Sequence, residues 1–226
     1  MKPLTKLHET LLPEGTTLEL WERDGSHFLL EDGQQIASSF SHGSDDAMAQ
    51  LAAAPLKRAN QPTFLFAGLG LGYVLDAARE AVIKEKALFV VAEPNADLIN
   101  WHRTTLADLH PGMLEDPRIE IEPLTYLAVA RRSPKKFHAI LIKSTHARAR
   151  LNIAEASDLS SSLRDGGLLS ISIARADKRL ERTLQKAGFQ YSMDMVPASH
   201  KGKQTSLHTL IIAKKGRFIP SAQRGK

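Results

Sequence analysis

Residues 62–81, PTFLFAGLGLGYVLDAAREA, decide how this chain folds. An apolar run meets Gly68, Gly70 and Gly72, and an amphipathic segment comes next, so the stretch predicts a strand, a glycine turn and a helix. Glycine adopts backbone angles that are closed to other residues, so a ligand can approach the main chain here. The start of the helix also offers unpaired N–H groups. We therefore expect this corner to hold a carboxylate, a phosphate or a ribose.

The spacing of these glycines narrows the choice of cofactor. The pattern is G-x-G-x-G, whereas the dinucleotide fingerprint needs its third glycine at the position of Tyr73. This favours S-adenosylmethionine over NAD. A second predicted strand, ALFVVAEP at 87–94, ends in Glu93, about 20 residues downstream, where a carboxylate can accept hydrogen bonds from both ribose hydroxyls. An ordinary glycine turn with Glu93 in solvent is the alternative.

The composition limits the kinds of protein this can be. At 226 residues with 42% hydrophobic side chains, the chain suits one α/β domain with a small appendage. The absence of cysteine excludes disulfides, thiolate metal sites and cysteine nucleophiles, and it is compatible with a reducing cytoplasm, where we place the protein. No apolar run approaches the roughly 18 residues of a membrane span, so no membrane contact is expected. The nine histidines show no metal-binding spacing on a predicted helix, so no metal site is expected either.

The formal net charge of +5 favours anionic partners through long-range attraction. Much of the excess lies in these residues: Arg131, Arg132, Lys135, Lys136, Arg148, Arg150, Lys214, Lys215, Arg217, Arg224 and Lys226. Nucleic acid is one candidate partner, but no aromatic-interleaved module such as an RNA-recognition motif is visible, so it is not the favoured one. A basic, solvated surface without a partner is the alternative.

The N-terminal region has a pattern of its own. Residues 16–40 alternate apolar and polar side chains around two Asp-Gly turn signals, which predicts a short β-meander. The meander is too small to fold alone. After it, Ser44 is predicted to cap a helix that carries Asp45 and Asp46 in its first turn and runs through an alanine-rich segment.

The rest of the chain alternates between predicted strands and helices. The strands are placed at 63–68, 88–93, 118–122, 137–143 and 168–174. The helices are placed at 72–84, 95–108, 155–164 and 176–187. Two final strands, 189–196 and 207–213, are typical of an antiparallel hairpin. The alternation predicts an α/β fold with a doubly wound, mostly parallel sheet ending in that hairpin, as in the methyltransferase-type Rossmann fold. The chain then divides into a small N-terminal β region, 1–42, and this Rossmann domain, 43–226.

Several segments together resemble one known family. In order after the meander and the capped helix, they are FAGLGLGY, VVAEPNADLINWHR, EDPRIEIE, RRSPKKFHAILIKS and LRDGGLLSISIA. Over roughly residues 16–190 this order is similar to that of the spermidine synthases, a family of aminopropyltransferases with the S-adenosylmethionine-dependent methyltransferase fold. The resemblance implies that the nucleoside is held by Gly68, Gly70, Gly72 and Glu93. The position that faces the adenine amino group, an aspartate in the family, falls near Thr125.

The positions that carry aminopropyl transfer differ from the family. ILIKST places Lys143 where the family has the aspartate that orients and deprotonates the amine. The glycine turn has Leu71 in place of an aspartate that meets the amine end of decarboxylated S-adenosylmethionine. The first tyrosine of the chain is Tyr73, so the N-terminal tyrosine that helps to hold the polyamine is missing. We therefore do not expect this protein to make spermidine.

Two functions of different classes remain. The first is a transferase that uses S-adenosylmethionine, whose reactive methyl needs little more than an aligned nucleophile and a dry pocket. The catalytic candidates come after the fourth strand, at the usual ligand crevice of open α/β sheets: Lys143, Ser144 and His146. A cationic Lys143 predicts an anionic small-molecule acceptor, whereas a solvated strand-end lysine is the alternative. The second function is a non-catalytic ligand- or partner-binding protein on the same fold. Since dimers are common in the spermidine synthase family, the resemblance also implies a homodimer.

Overall fold

The N-terminal part of the chain is a separate antiparallel sheet of four strands, in the order β1-β2-β3-β4. The computed structural model describes residues 3–12, 15–143, 151–199 and 206–216. The four strands are β1 (Thr5–Leu11), β2 (Thr17–Arg23), β3 (Ser26–Glu31) and β4 (Gln34–Ser38). The meander predicted over residues 16–40 is therefore present, and β1 adds a fourth strand that the sequence did not indicate.

Both Asp-Gly pairs of this region close two-residue hairpin turns. Asp24 and Gly25 have φ of 50° and 77°, and Asp32 and Gly33 have φ of 47° and 75°. Turns with positive φ at both central residues match the right-handed twist of the flanking strands, which is why Asp-Gly is favoured there. The turn signals thus set the register of the sheet.

The larger sheet has seven strands in the order β10-β11-β9-β8-β5-β6-β7. They are β5 (Thr63–Ala67), β6 (Leu88–Ala92), β7 (Ile119–Glu122), β8 (Phe137–Lys143), β9 (Leu163–Ile173), β10 (Phe189–Pro197) and β11 (Leu207–Lys215). Strands β5 to β9 are parallel, and β11 and β10 complete the sheet as antiparallel strands. This is the predicted doubly wound sheet with a final hairpin, so the fold class is confirmed.

Six α-helices in the described part of the chain cover the two faces of this sheet. They are α1 (Gly43–Ala53), α2 (Tyr73–Ala81), α3 (Ala96–Arg103), α4 (Tyr126–Arg131), α5 (Ile153–Ser162) and α6 (Lys178–Lys186). Helices α1 to α3 bury their apolar side chains in one core with the N-terminal sheet, and α4 to α6 bury theirs in a second core on the opposite face. No helix among the described residues is long and apolar enough to cross a bilayer.

Three details differ from the sequence-based prediction. Ser44 does not cap α1, because the helix begins one residue earlier and the Ser44 hydroxyl instead bonds His208 Nδ1 at 2.8 Å. Helix α4 was not predicted, since six residues are too short to show a helical period. Strand β9 begins at Leu163, which the sequence places in a helix. Leu163 pairs with Phe137 of β8, and the register between the two strands shifts after this pair. None of these differences alters the order of the sheet.

The connections of the sheet define where a ligand crevice lies. From central strand β5 the chain moves outward to β6 and β7, and then crosses back to β8 on the other side of β5. The carboxyl ends of β5 and β8 therefore meet at a topological switch point, where open α/β sheets bind their ligands. The glycine turn comes directly after β5 and Lys143 ends β8, so both lie at this point. The predicted division of the chain at residue 42 stays a prediction.

Candidate functional site

The turn between β5 and α2 has the conformation that its glycines predict. Gly68, Gly70 and Gly72 have φ of 90°, 55° and 87°, angles that side-chain-bearing residues rarely adopt. The Gly68 N–H donates to the carbonyl of Ala92 on β6 at 2.9 Å, which ties the turn to the neighbouring strand. Gly72 is the N-cap of α2, so no side chain covers the first-turn N–H groups of this helix from that position. The corner is therefore built from main-chain atoms.

The glycines of the turn differ in how much room surrounds them. A Cβ at Gly72 would lie 2.7 Å from His110 Cδ2, closer than real Cβ atoms come to other atoms, and 3.1 Å from the Met113 Cε methyl, which is a tight contact. A Cβ at Gly70 would meet nothing within 4 Å. Gly72 is thus required by packing within the protein, whereas Gly70 borders open space. The open side of the turn lies at Gly70, and this is where a ligand can approach the main chain.

Two buried histidines hold the carbonyl groups of the turn. His102 Nε2 donates to the Gly70 carbonyl at 2.9 Å, and His110 Nε2 donates to the Leu71 carbonyl at 2.9 Å. Burial lowers the pKa of His102 to about 4, so this ring is neutral at pH 7. The turn is therefore fixed by side chains from outside it as well as by its own backbone.

The second nitrogen of His110 is also engaged. His110 Nδ1 lies 2.8 Å from Asp76 Oδ2, and Arg79 donates to the other oxygen of this carboxylate at 2.7 Å. His110 therefore connects the Leu71 carbonyl of the turn to the Asp76 carboxylate of α2. Burial raises the pKa of Asp76, but the hydrogen bonds from His110 and Arg79 outweigh it and hold this pKa below its usual range.

An aromatic contact links α1 with the turn. The Tyr73 ring, at the start of α2, stacks on His42 with centroids 4.0 Å apart and meets the edge of His110 at 4.6 Å. The Tyr73 hydroxyl donates to the carbonyl of Ser39, and burial raises its pKa. The start of α2 is therefore packed against the residues that precede α1.

Glu93 lies beside the turn, and its oxygens bond the main chain. Oε2 accepts from the Leu69 N–H at 3.0 Å, and Oε1 accepts from the Asn95 N–H at 2.9 Å. Asn95 in turn caps α3 by accepting from the Leu98 N–H. A carboxylate has about four acceptor sites, so these bonds leave the group able to accept from a hydroxyl as well. Glu93 is buried, and it positions the turn whether or not a ribose is present.

Thr125 lies shortly after β7 and is exposed. Its hydroxyl accepts from the Ala128 N–H at 3.3 Å, which makes Thr125 the N-cap of α4. The sequence predicted that Thr125 lies near an adenine, and the structure gives this residue a local role that explains the start of α4. The predicted contact with a nucleoside stays a prediction.

Lys143 lies at the end of β8 and is paired with an acid from α1. Its Nζ donates to Asp45 Oδ2 at 2.6 Å, and about a quarter of the Lys143 side chain is exposed. The positive charge on which the expectation of an anionic acceptor rested is therefore balanced by a carboxylate. The other two catalytic candidates, Ser144 and His146, lie outside the described residues.

Part of the basic surface is also neutralised by neighbouring acids. Arg131 donates to Asp158 at 2.7 Å, and Arg132 pairs with Glu122 at 2.5 Å. Five basic residues that the sequence singled out lie outside the described residues: Arg148, Arg150, Arg217, Arg224 and Lys226. The described part of this surface gives no added reason to favour nucleic acid.

Sequence reasoning missed the side chains that support the crevice. His102 and His110 were counted among scattered histidines, because the turn they bond lies more than 30 positions earlier in the chain. The sequence places Asp45 only in the first turn of a helix, and Asp76 lies in the amphipathic segment after the glycine turn without any distinguishing pattern. The local signal for Asp45 and Asp76 is that each lies in the first turn of a helix. Helix electrostatics alone explains an acid at that position.

Comparisons with known proteins agree with this architecture. No protein-family model and no curated protein sequence matches the chain. Among solved structures, a spermidine synthase in complex with the transition-state analogue AdoDATO superposes with a TM-score of 0.73 at 15% identity, covering 94% of this chain and 73% of that one. The spermidine synthase of Thermotoga maritima gives 0.70 at 17% identity, over 94% and 73%.

A methyltransferase-fold structure outside that group is similar as well. TYW2 of M. jannaschii in complex with AdoMet gives a TM-score of 0.54 at 14% identity, covering 92% of this chain and 90% of that one. At such identities the likeness concerns the fold. The resemblance to spermidine synthases is confirmed at that level, and the chain has a methyltransferase-type Rossmann fold.

Proposed function

We propose that this protein binds S-adenosylmethionine across the glycine turn and acts as a transferase of the methyltransferase type. The observation that carries the proposal is the turn itself, with three positive-φ glycines at the carboxyl end of the central strand and open space at Gly70. Two proteins of similar fold support it, since TYW2 was solved with AdoMet and a spermidine synthase with AdoDATO.

The residues around the turn suit the parts of this cofactor. The first-turn N–H groups of α2, with the positive end of the helix dipole, fit the carboxylate of the methionine portion. A carboxylate such as Glu93 suits the ribose hydroxyls, and the resemblance to spermidine synthases assigns Thr125 to the adenine edge. When bound, the sulfonium supplies an electrophilic methyl group. The protein's part is then to hold the cofactor, exclude water and align the acceptor.

We infer further that the protein is not a spermidine synthase. Leu71 is buried in the core on the α1–α3 side, so the turn presents no carboxylate at the position where that family meets the amine of its cofactor. Lys143 occupies the end of β8, where the family uses an aspartate. The assay is direct: putrescine and decarboxylated S-adenosylmethionine should yield no spermidine. Turnover at about 1 per second or faster, a rate typical of enzymes, would contradict this inference.

Calorimetric titration of the full chain tests cofactor binding. The ligands are S-adenosylmethionine, S-adenosylhomocysteine, decarboxylated S-adenosylmethionine and NAD. We expect the first two to bind and NAD not to bind, because Tyr73 takes the place of the third glycine of the dinucleotide fingerprint. Binding of NAD alone, or of none of the four, would contradict the proposal.

A non-catalytic binding protein on the same fold is the second candidate. The observation that favours it is the ion pair of Lys143 with Asp45, which engages the strand-end lysine in a contact within the protein. Radiolabelled S-adenosylmethionine incubated with the protein and a small-molecule cell extract separates the two candidates. Enzyme-dependent transfer of the labelled methyl supports the transferase, whereas binding without transfer supports the second candidate.

A further inference from the structure

The Asp45–Lys143 pair is incompletely satisfied by the protein. Lys143 Nζ uses one of its three N–H donors on Asp45 Oδ2, and no other partner is found for it within the described part of the chain. Asp45 is 4% exposed, yet its Oδ1 atom has no hydrogen-bond partner among the described residues. Leaving a buried polar atom unpaired destabilises the folded state, and more so when the group is charged. Such a cost calls for a structural or functional explanation.

The position of the pair suits an acceptor of the proposed reaction. Phe66 of β5 aligns with Leu141 of β8, so Gly68 and Lys143, two positions further on, stand at the same level of adjacent strands. Neighbouring strands lie about 4.8 Å apart. The pair is therefore next to the glycine turn, on the side of the switch point away from Glu93.

A second unpaired atom lies on the same face of the sheet. Ser170 of β9 is fully buried, and its hydroxyl has no partner within the described ranges. Ser170 aligns with Leu141, and Ser172 aligns with Lys143. Both serines therefore lie beside the end of β8, beneath α1. Two unpaired polar atoms thus lie where α1 covers β8 and β9.

We propose that the Asp45–Lys143 pair is the binding site for the acceptor, and that it recognises an uncharged group with a hydrogen-bond donor and an acceptor side by side, as in a carboxamide. Lys143 Nζ contacts Asp45 Oδ2, so its remaining N–H donors lie close to the buried, unpaired Oδ1 acceptor of the same carboxylate. The inference rests on the proposed function, because it assigns the acceptor of that transfer.

The charge of the site selects against ionic groups. The pair is neutral overall, so a carboxylate ligand would gain from Lys143 but meet the charge of Asp45, and an ammonium ligand would face the reverse. A carboxamide donates to Asp45 Oδ1 and accepts from Lys143 Nζ, which satisfies both. Sites built from buried polar groups discriminate strongly, because a ligand that cannot make the bonds leaves those groups unpaired.

Three probes of one shape test this specificity: benzamide, benzoate and benzylamine. Binding to the full-length protein is measured by ligand-detected NMR, with and without S-adenosylhomocysteine. We expect benzamide to bind with Kd of about 1 mM, a reasonable affinity for a fragment, and at least about 10-fold more tightly than either charged probe. Preference for benzoate would support the anionic acceptor expected from the sequence and overturn the proposal. Equal binding of all three, or no binding of benzamide at about 10 mM, would overturn it as well.

Variants of the Asp45–Lys143 pair test whether benzamide binds there, and a control variant separates this effect from loss of folding. D45N should abolish the preference for benzamide, and D45N/K143M should do the same without leaving one buried charge uncompensated. D158N is the matched control, because it removes the carboxylate of another ion pair, 2.7 Å from Arg131, on the opposite face. An unchanged preference in folded D45N/K143M, checked by circular dichroism, would show that the pair is only structural.

The two proposals fail in different ways. If S-adenosylhomocysteine does not bind but benzamide is still preferred and that preference is lost in D45N/K143M, the proposed function fails and the binding site stands. If the nucleoside binds and the benzamide preference is absent, the proposed function stands and the acceptor assignment is overturned.

Discussion

The two sides of the switch point satisfy their polar groups differently. On the β5–β6 side, Glu93 bonds main-chain N–H groups with both oxygens, and His102 and His110 bond the carbonyl groups of the turn. On the β8 side, Asp45 leaves one oxygen without a partner and Lys143 leaves donors free among the described residues. The first side is complete before any ligand binds, and the second is not.

We infer from this difference that the Asp45–Lys143 side carries the specificity of the proposed transferase. A cofactor site made of main-chain groups depends on glycine conformation, which many sequences of this fold can provide. The proposed acceptor site depends instead on two side chains that lie outside the turn, Asp45 and Lys143. We therefore expect changes at the turn to affect folding and cofactor binding, and changes at the Asp45–Lys143 pair to affect the choice of acceptor.

The largest effect is expected from Gly72→Ala. The backbone at position 72 has φ of 87°, and the new Cβ would lie 2.7 Å from His110 Cδ2, so backbone strain and overpacking add. The free energy of unfolding should fall by about 3 to 5 kcal/mol in a denaturant titration. A loss of less than about 1 kcal/mol would show that the turn adapts to a side chain at position 72 and is not rigid.

The next effect concerns acid stability through His102. Its pKa is about 4 in the folded protein against an ordinary value of 6.5, so protonation favours the unfolded state as the pH falls from 6.5 to 4. One pKa unit corresponds to about 1.4 kcal/mol, so the loss approaches about 3 kcal/mol. His102→Gln can still donate to the Gly70 carbonyl and should remove most of this pH dependence. Equal pH dependence of the unfolding free energy in variant and parent would contradict the assignment.

A smaller effect is expected from Asp76→Asn, which removes the charge that holds His110. The pKa of Asp76 is lowered in the folded protein, so its contribution is full above the ordinary carboxyl value of 3.8 and is lost as the pH falls further. At pH 7 we expect a loss of about 1.5 to 3 kcal/mol in the free energy of unfolding, vanishing in strong acid. Asp158→Asn, in an exposed ion pair, should cost no more than about 0.5 kcal/mol. Similar losses in the two variants would contradict the role of His110.

The sequence predicted the glycine turn far better than the Asp45–Lys143 pair. The glycine turn, the strand before it and the helix after it lie within one stretch of 20 residues, so periodicity and glycine spacing locate them directly. The Asp45–Lys143 contact joins residues 98 positions apart on elements that meet only in the folded sheet. Local patterns carry no signal for such a pair. The same reason hid His102 and His110, and the shortness of α4 hid that helix.

Calorimetric titration of S-adenosylmethionine into the parent, Gly70→Ala and Gly188→Ala tests whether the cofactor binds at the glycine turn. Both glycines have positive φ, 55° and 83°, and a Cβ at either would meet nothing within 4 Å, so both changes add backbone strain and neither adds a clash. Only Gly70 lies at the proposed cofactor site. We predict at least about 10-fold weaker binding in Gly70→Ala, or about 1.4 kcal/mol, and parent-like binding in Gly188→Ala. Parent-like affinity in Gly70→Ala, or no binding to the parent, would contradict the account.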